Sequence, residues 1–487
     1  MRGSARPVAL MLAALVLAPA VHEAGAAPAR DPGCTALRPS RSAPVTGAAD
    51  PRGDLRVVAV QYKQDVANVE SYATFRRAMR CLVQDLVLPH RVKGRPTLVV
   101  FNEDIGLMTV ATGARGAVVR LQAATPLKAP AGDQAPAGAA AALGLLNASY
   151  APQVAAYQAL LGPVDPRKQV LLAATDTFVR AFSLTFSEIA RDYGVYVVAS
   201  NNMATYRETH DPAEVALFGD PTASDGRAFV ATSGRVPNAT FLWGPRDVHP
   251  GAPAGARNLL FRNEKVPLTT TEQTLLALDE GPSKGAAALA NARGFVVAGH
   301  RLGFATSLPA WAWGYPFGKR PKGFRPCVDL RVTYASCMDA LGVDTFVQAE
   351  ANNGRWAANG AMGYWQPLEW MSSAWRAVAD PTLRIRYAVN PFLVGNLLDL
   401  PFDGQSAILG RGVRRTPRTY VGNAPRERLE SGPKPQFLAL APWVRPDGPR
   451  ADLEAQSARL APGSGDPEEN QYLQTALYAD LLPVGGP

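Results

Sequence analysis

Short runs of consecutive apolar residues alternate with segments of helical spacing along most of the chain. Residues 56–61 and 97–101 are β-branched runs without strict polar alternation, as is typical of strands buried on both faces. Residues 178–193 carry phenylalanines at helical spacing, Gly194 ends that pattern, and 195–199 form another buried run. This order of strand, helix and strand predicts an α/β fold with covered sheets.

The same reading sets the domain boundaries. Further strands are predicted at 227–231, 239–243, 295–298 and 343–347, and further helices at 66–88 and 329–341. Residues 106–170 are low in charge and rich in Ala, Gly and Pro, which indicates an insertion over the core. Beyond about residue 411 the chain is polar and Pro-rich, and only 471–482 has a helical pattern. We therefore predict a domain over 54–412, followed by a C-terminal extension over 413–487.

The N-terminus has the pattern of an export signal. Two arginines in the first six residues precede an apolar run over 8–21, and small residues follow at 24–26. The run is short for a bilayer-spanning helix, which needs about 20 apolar residues. We predict a signal peptide over 1–26, a disordered linker over 27–53, and a secreted, extracellular protein with no stable membrane span after cleavage.

Composition and charge exclude several classes of protein. Of 487 residues, 47% are hydrophobic and 19% charged, which excludes global disorder. The net charge of +9 is spread along the chain without a basic stripe, so we expect no nucleic-acid partner. The four cysteines are too few for a disulfide scaffold. The sequence leaves open whether Cys34 and Cys81 form a bridge or stay free thiols. Cys337 follows Cys327 on one predicted helix, about 15 Å away, which predicts no disulfide between them.

Three reactive residue types stand where predicted strands end or a helix begins. Glu103 follows the strand at 97–101, Lys265 lies within 261–268, and Cys327 precedes the helix at 329–341. Strand ends in covered α/β sheets are where sites usually form. A helix N-terminus and a nearby lysine both lower the pKa of a thiol, which favours Cys327 as a nucleophile. His300 lacks a partner motif, and we expect it to be structural.

The ordered set Glu103, Lys265 and Cys327 resembles the nitrilase, or carbon–nitrogen hydrolase, superfamily, over most of residues 55–410. Further segments in the family's order and spacing are 238–240, 243–245, 265–272, 327–331, 342–344, 351–354, 375–379 and 402–408. The resemblance implies a four-layer α-β-β-α sandwich. One departure is an insertion of about twenty residues between the strand-like 302–307 and Cys327, so Ser307 is an alternative occupant of the nucleophile position.

The resemblance also implies a reaction and roles. Cys327 would attack a small-molecule amide or nitrile, with an amide favoured as the substrate, forming a thioester acyl-enzyme. Glu103 would be the general base, Lys265 would stabilise the oxyanion, and Glu272 would position groups or a water. No cofactor and no metal are expected, and a homo-oligomer is compatible with the resemblance. Two alternatives remain: acyl transfer to an amine by the same site, and a binding or scaffold protein with a degenerate site.

Overall fold

A computed structural model describes residues 31–37, 39, 41–123, 127–129, 136–360, 363–423 and 436–484. The predicted signal peptide over 1–26 lies outside these residues. Among the helices in the described ranges, none has both the length and the apolar character needed to cross a bilayer.

The described residues form strands and helices along the whole length of the chain. The strands are β1 Thr46–Ala48, β2 Leu55–Lys63, β3 Thr97–Val100, β4 Tyr196–Asn202, β5 Tyr206–Thr209, β6 Ala228–Ala231, β7 Asn238–Trp243, β8 Leu259–Glu264, β9 Phe295–Val297, β10 His300–Phe304, β11 Thr345–Val347, β12 Tyr387–Asn390, β13 Leu393–Leu397, β14 Leu400–Phe402, β15 Ala407–Gly410, β16 Phe437–Leu440 and β17 Thr475–Leu481. The α-helices are α1 Tyr72–Leu86, α2 Ala117–Ala123, α3 Ala137–Ser149, α4 Ala151–Leu161, α5 Gln169–Ala173, α6 Thr175–Phe178, α7 Leu184–Tyr193, α8 Pro212–Phe218, α9 Thr270–Thr274, α10 Gly285–Ala292, α11 Leu330–Ala340, α12 Gln366–Ala379 and α13 Arg450–Leu460. A π-helical turn, Val179–Ser183, joins α6 to α7, and 3-10 turns cover Pro32–Leu37, Val66–Val69, Leu88–His90, Leu107–Ala111, Leu308–Trp311 and Val421–Asn423.

Two mixed sheets organise these elements. The first runs β1-β17-β2-β3-β4-β7-β8, with β13 also pairing with β2, and β14 with β13. The second runs β16-β15-β12-β11-β10-β9, and β5 and β6 form a separate antiparallel pair. The neighbours β2, β3 and β4 are parallel, as are β10, β11 and β12. Each parallel group therefore sends its strand ends to a single sheet edge.

The sheets stack face to face, and helices cover both outer faces. Val57 of β2 and Val347 of β11 belong to one apolar cluster that the inner faces of both sheets share. Val58, the next residue of β2, packs instead with α1 and α7. Phe346 packs with α11 and α12 on the far side of the second sheet. Because neighbouring residues of a strand point to opposite faces, this alternation defines four layers in the order α-β-β-α, and the predicted sandwich is confirmed.

The structure differs from the prediction at both ends of the domain. The helix predicted over 471–482 is wrong, because β17 lies antiparallel to β2 and inserts between β1 and β2. Its residues Leu477, Ala479 and Leu481 alternate into the layer between the sheets. β1 lies within the predicted disordered linker over 27–53, yet it pairs in parallel with β17. The predicted C-terminal extension thus supplies a strand to the first sheet.

The predicted insertion over 106–170 contributes helices to an outer layer. Val119 of α2, Leu146 of α3 and Tyr157 of α4 pack into the cluster that covers the first sheet. This segment therefore extends the hydrophobic core on the side of α1 and α7.

Two disulfides involve all four cysteines. Cys34 pairs with Cys81 of α1, which settles the alternative left open by the sequence. Cys327 pairs with Cys337, so the predicted separation of these two residues is wrong. The physical reason is that α11 begins only at Leu330, and its Thr333 has a non-helical φ of −132°. Cys327 therefore precedes the helix and folds back onto it, with the two Cα atoms 4.9 Å apart.

A buried histidine joins the two sheets at the end where the parallel strands begin. His300, the first residue of β10, has one ring nitrogen 2.8 Å from Asp54 Oδ1 and the other 3.1 Å from Asp344 Oδ1. Asp54 directly precedes β2, and Asp344 directly precedes β11. Burial lowers the pKa of His300, but its hydrogen bonds to Asp344 and Asp54 outweigh burial and raise it. His300 therefore has a structural role, in which both of its ring nitrogens bind carboxylates.

Candidate active site

Glu103 lies at the edge of the first sheet where its parallel strands end. β3 ends at Val100, and Phe101 donates its N–H to the carbonyl of Val198, which continues the pairing toward β4 by one residue. Glu103 follows with a side chain that is only 4% exposed. A carboxylate held this far from water needs partners, because burying an unpaired charge is costly.

Lys265 is the principal partner of Glu103. Its Nζ lies 2.7 Å from Glu103 Oε1 and 2.9 Å from Glu272 Oε2. Lys265 directly follows β8, which runs in the same direction as β4 because β7 is antiparallel to both. Its ammonium thus arrives at the edge where β3 ends, and it is 3% exposed.

Glu272 is held by the start of α9. Thr269 caps this helix, and its N–H and hydroxyl both donate to Glu272 Oε2, at 2.8 and 2.9 Å. The backbone N–H of Glu272 donates to Thr269 Oγ1 in return, which completes a capping box. The capping box and the Lys265 ion pair share one carboxylate oxygen, which fixes Glu272 beside the lysine.

Asn238 joins the two carboxylates. It is the first residue of β7, and its Nδ2 donates to Glu103 Oε1 at 2.9 Å and to Glu272 Oε1 at 2.8 Å. Its carbonyl accepts the N–H of Lys265 at 2.9 Å. Asn238 therefore contacts all three charged residues and holds them in one orientation.

Burial and charge set the protonation of this cluster. Burial raises the pKa of Glu103, the nearby Glu272 raises it further, and Lys265 pulls against the shift. Burial also opposes ionisation of Glu272, but Lys265 and Thr269 outweigh it and lower the pKa of that carboxyl. Burial disfavours the ammonium of Lys265, but the two carboxylates more than offset this and raise its pKa. Lys265 is therefore a permanent cation, and Glu103 is the more basic of its two partners.

The predicted nucleophile, Cys327, is wrong for this structure. Its sulfur is bonded to that of Cys337, so it has neither a thiolate nor a proton to give up. It lies before α11 rather than at the end of β10, beyond the insertion noted in the sequence. Glu103, Lys265 and Glu272 come together as the sequence analysis expects, whereas Cys327 is held in a structural bond.

Ser307 occupies the strand-end position that Cys327 does not. β10 ends at Phe304, and a 3-10 turn begins at Leu308, so Ser307 stands in the connection between them. Its backbone has φ 56° and ψ −125°, a region that side-chain-bearing residues rarely adopt. Such conformations cost about 1–3 kcal/mol and cluster at functional sites. A strained turn after a strand is also how nucleophile elbows present a serine in hydrolases.

Two contacts hold the Ser307 turn against the carboxylate cluster. Thr306 Oγ1 lies 2.8 Å from Oγ1 of Thr240, two residues beyond Asn238 on β7. The N–H of Ser307 donates to the carbonyl of Ala349 at 3.0 Å. Ala351, two residues further along that segment, donates its N–H to Glu103 Oε2 at 3.2 Å. A short stretch of chain after β11 therefore connects the backbone of Ser307 to the carboxylate of Glu103.

Glu350 lies between Ala349, which binds the backbone of Ser307, and Ala351, which binds Glu103. It was not among the site residues predicted from the sequence. It is fully buried, and burial raises its pKa well above the usual range, with the charge of Glu103 adding to the shift. The nearby Ser307 hydroxyl and the Lys265 ammonium oppose this shift. The signal for it was present, because Gln348-Ala349-Glu350 follows a buried strand just as Asn102-Glu103 does.

The described residues contain one group with metal-ligand spacing, and it is remote from this cluster in sequence. It consists of Asp31, Cys34 and Cys81. Both cysteines are in a disulfide, which leaves one carboxylate as a donor. We assign no metal site to it.

Comparison with known proteins gives matches only among solved structures. No family model matches the chain, and no curated protein matches it. A variant of the amidase from Nesterenkonia sp. AN1 is similar over 84% of this chain and 95% of its own, at 13% identity and a TM-score of 0.38. Another variant of that amidase, described as from the nitrilase superfamily, covers 74% and 84% at 13% identity and a TM-score of 0.34. A carbon–nitrogen hydrolase from Helicobacter pylori G27 covers 73% and 82% at 12% identity and a TM-score of 0.37. Likeness at these TM-scores carries no weight for the site, and the chemistry proposed below follows from contacts within this chain.

Proposed function

We propose that this chain is a hydrolase of non-peptide amide bonds in which Ser307 is the nucleophile. The observation that carries the proposal is the buried Glu103–Lys265–Glu272 cluster, connected by Ala351 and Ala349 to a serine in a strained strand-end turn. On this view the chain is a member of the nitrilase superfamily with serine in the nucleophile position. The acyl-enzyme is then an ester rather than a thioester.

The roles follow from charge and basicity. A serine hydroxyl is a weak nucleophile until an adjacent general base accepts its proton. Glu103 is suited to this because burial raises its pKa toward the working range of a base. Lys265, which stays charged, stabilises the oxyanion that forms when the carbonyl carbon is attacked.

Glu272 and Asn238 act as positioning residues. Glu272 is fixed by its capping box and shares Lys265 with Glu103, so the ammonium cannot turn away from the site. Asn238 hydrogen-bonds to both carboxylates and limits the directions that they can take. Pre-organised charges of this kind need no rearrangement when the oxyanion forms.

We also propose that the protein is exported, as its N-terminal pattern predicts. Two disulfides support this, because such bonds persist in oxidising compartments and are rare in the cytosol. The substrate class is small amides, and water or an amine can resolve the acyl-enzyme.

Hydrolysis of a panel of small amides by purified protein tests the proposal. We expect Ser307→Ala to lower kcat/KM to background on every amide that the parent cleaves, whereas Ser372→Ala, a change on the outer helix α12, should leave it unchanged. Full activity in Ser307→Ala would remove Ser307 from the reaction. Absence of turnover by the parent across the panel would instead favour the binding or scaffold alternative.

Ser307→Cys gives a second readout that does not depend on the substrate. Because all four native cysteines are in disulfides, this variant carries a single free thiol. We expect iodoacetamide to alkylate it fast, and Lys265→Met to slow that alkylation, since the lysine favours the thiolate. A thiol at position 307 that reacts no faster than free cysteine would contradict an activating environment.

A further inference from the structure

Glu350 is built into the site by its backbone. Its N–H donates to the carbonyl of Pro391 at 2.9 Å, and its carbonyl accepts the N–H of Leu393 at 3.0 Å. Its neighbours in sequence bind the two reacting residues, since Ala349 accepts the N–H of Ser307 and Ala351 donates to Glu103. These contacts fix the backbone of Glu350 between Ser307 and Glu103.

The carboxyl group of Glu350 has one oxygen with a partner and one without. Oε1 accepts a hydrogen bond from Gln348 Nε2, which is itself 2.7 Å from Ser373 Oγ. Oε2 is buried and has no hydrogen-bond partner among the described residues. A buried polar atom without a partner costs about 1–3 kcal/mol. This oxygen has no direct partner by distance among the described residues, although the Ser307 hydroxyl is close enough to the carboxyl group to favour its ionised form.

Glu350 and Glu103 differ in the charges that face them. Glu103 has the ammonium of Lys265 at 2.7 Å, which favours its ionised form. Glu350 has no ion pair at 4.0 Å or less among the described residues, and the negative charge of Glu103 opposes its ionisation. Burial and this repulsion favour the protonated form of Glu350. Two carboxyl groups whose surroundings differ in this way are suited to opposite roles in proton transfer.

Resting on the function proposed above, we propose that Glu350 is a second catalytic carboxyl and donates its proton to the departing amine. Glu103 then accepts the proton of Ser307. One carboxyl group is thus the general base and the other the general acid, two roles that a single residue could otherwise perform in turn.

Protons balance in the acylation half-reaction. Ser307 Oγ bonds to the amide carbon, its proton passes to the Glu103 carboxylate, and the carbonyl electrons form an oxyanion facing Lys265. The oxyanion then collapses, the C–N bond breaks, and the nitrogen takes the Glu350 proton and leaves as a neutral amine. Ser307 is now acylated, Glu103 is protonated and Glu350 is ionised.

Deacylation restores both carboxyl groups. Water attacks the ester carbon and gives a proton to the Glu350 carboxylate. The C–O bond to Ser307 then breaks, and Oγ takes back the proton held by Glu103. The net reaction is amide plus water giving acid plus amine, with both residues in their starting states.

A change of leaving group tests this division. We would measure kcat/KM of the parent and Glu350→Gln on an alkyl amide and on the p-nitrophenyl ester of the same acid. An amine must be protonated to depart, whereas p-nitrophenolate leaves without a proton. We expect Glu350→Gln to lose about 10²-fold or more on the amide, the usual worth of a general acid, and to keep acylation by the ester close to the parent rate.

The ratio of amide to ester rate within one sample corrects for any fraction that fails to fold. Glu454→Gln, on a partly exposed side chain of helix α13, is the matched control and should leave both rates unchanged. An unchanged ratio in Glu350→Gln, whether both rates fall together or neither falls, would overturn the role of Glu350. Amide and ester activity persisting in Ser307→Ala would instead refute the proposed function, so the two failures are distinguishable.

Discussion

Replacing Lys265 by Met should destabilise the protein strongly at neutral pH and much less at acidic pH. The parent lysine pairs with Glu103 at 2.7 Å and with Glu272 at 2.9 Å, and all three side chains are buried. Met keeps most of the volume but removes the cation. Removing one partner of a buried ion pair typically costs about 3–5 kcal/mol, because the other charge is left uncompensated.

The pH dependence follows from the carboxyl groups that remain. Without Lys265 their folded-state pKa values rise above those of the unfolded chain, so folding takes up protons. The stability of the variant is then highest at low pH and falls as pH rises, by about 1.4 kcal/mol per pH unit for each proton taken up. Between pH 5 and pH 8, uptake of one proton changes the free energy of unfolding by about 4 kcal/mol. This change is comparable with the whole cost of the substitution.

Urea unfolding of parent and variant at pH 5 and pH 8 measures this effect. We expect the free energy of unfolding of Lys265→Met to approach that of the parent at pH 5 and to fall several kcal/mol below it at pH 8. The control is Lys284→Met, which removes an ion pair to Asp329 whose lysine is 65% exposed. Such surface pairs are worth about 0–1 kcal/mol. A loss in Lys265→Met that is equally small, or equal at both pH values, would refute the buried, charged cluster.

Three further predictions concern the support of the site and of the fold. Asn238→Ala should lower kcat by about 10-fold or more and leave KM near the parent value. The reason is that it removes the hydrogen bonds that orient two carboxylates, which act only on the reacting centre. An effect confined to KM would contradict this. The raised pKa of His300 predicts stability that is complete below its unfolded pKa of 6.5 and is lost as pH rises through the folded value. This slope in the unfolding free energy should vanish in His300→Asn, and its persistence would assign it to another group. The double change Cys327→Ser and Cys337→Ser should keep the kcat/KM of the parent and cost about 2–3 kcal/mol of stability, whereas loss of turnover in folded protein would return a catalytic role to Cys327.

The sequence predicts best those site residues that lie at the ends of strands. The apolar run before Glu103 locates a strand from sequence, because a strand covered on both faces must be apolar on both. Lys265 follows the polar residues Arg262-Asn263-Glu264, so its position is indicated by the family resemblance rather than by an apolar run. Glu272 follows from its spacing to Lys265. These three residues meet in the structure at one sheet edge, which follows from the parallel course of the strands.

The remaining parts depend on contacts distant in sequence. The pattern over 471–482 predicts a helix, and only the place of Thr475–Leu481 between β1 and β2 decides that it is a strand. The sequence predicts Cys327 and Cys337 on one helix, but α11 begins only at Leu330, which allows the two cysteines to form a disulfide. The sequence offers Ser307 only as an alternative to Cys327, and the backbone conformation that favours Ser307 is not visible in any residue pattern.

Mass spectrometry of the protein after reaction with a fluorophosphonate tests the central claim most directly, since this probe forms a covalent bond with activated serines. We predict one adduct per chain, located on the peptide that contains Ser307, and slower labelling in Glu103→Gln. Ser307→Ala should give no adduct. An adduct on another serine, or a parent protein that cleaves amides yet stays unlabelled at Ser307, would contradict the assignment of Ser307 as the nucleophile.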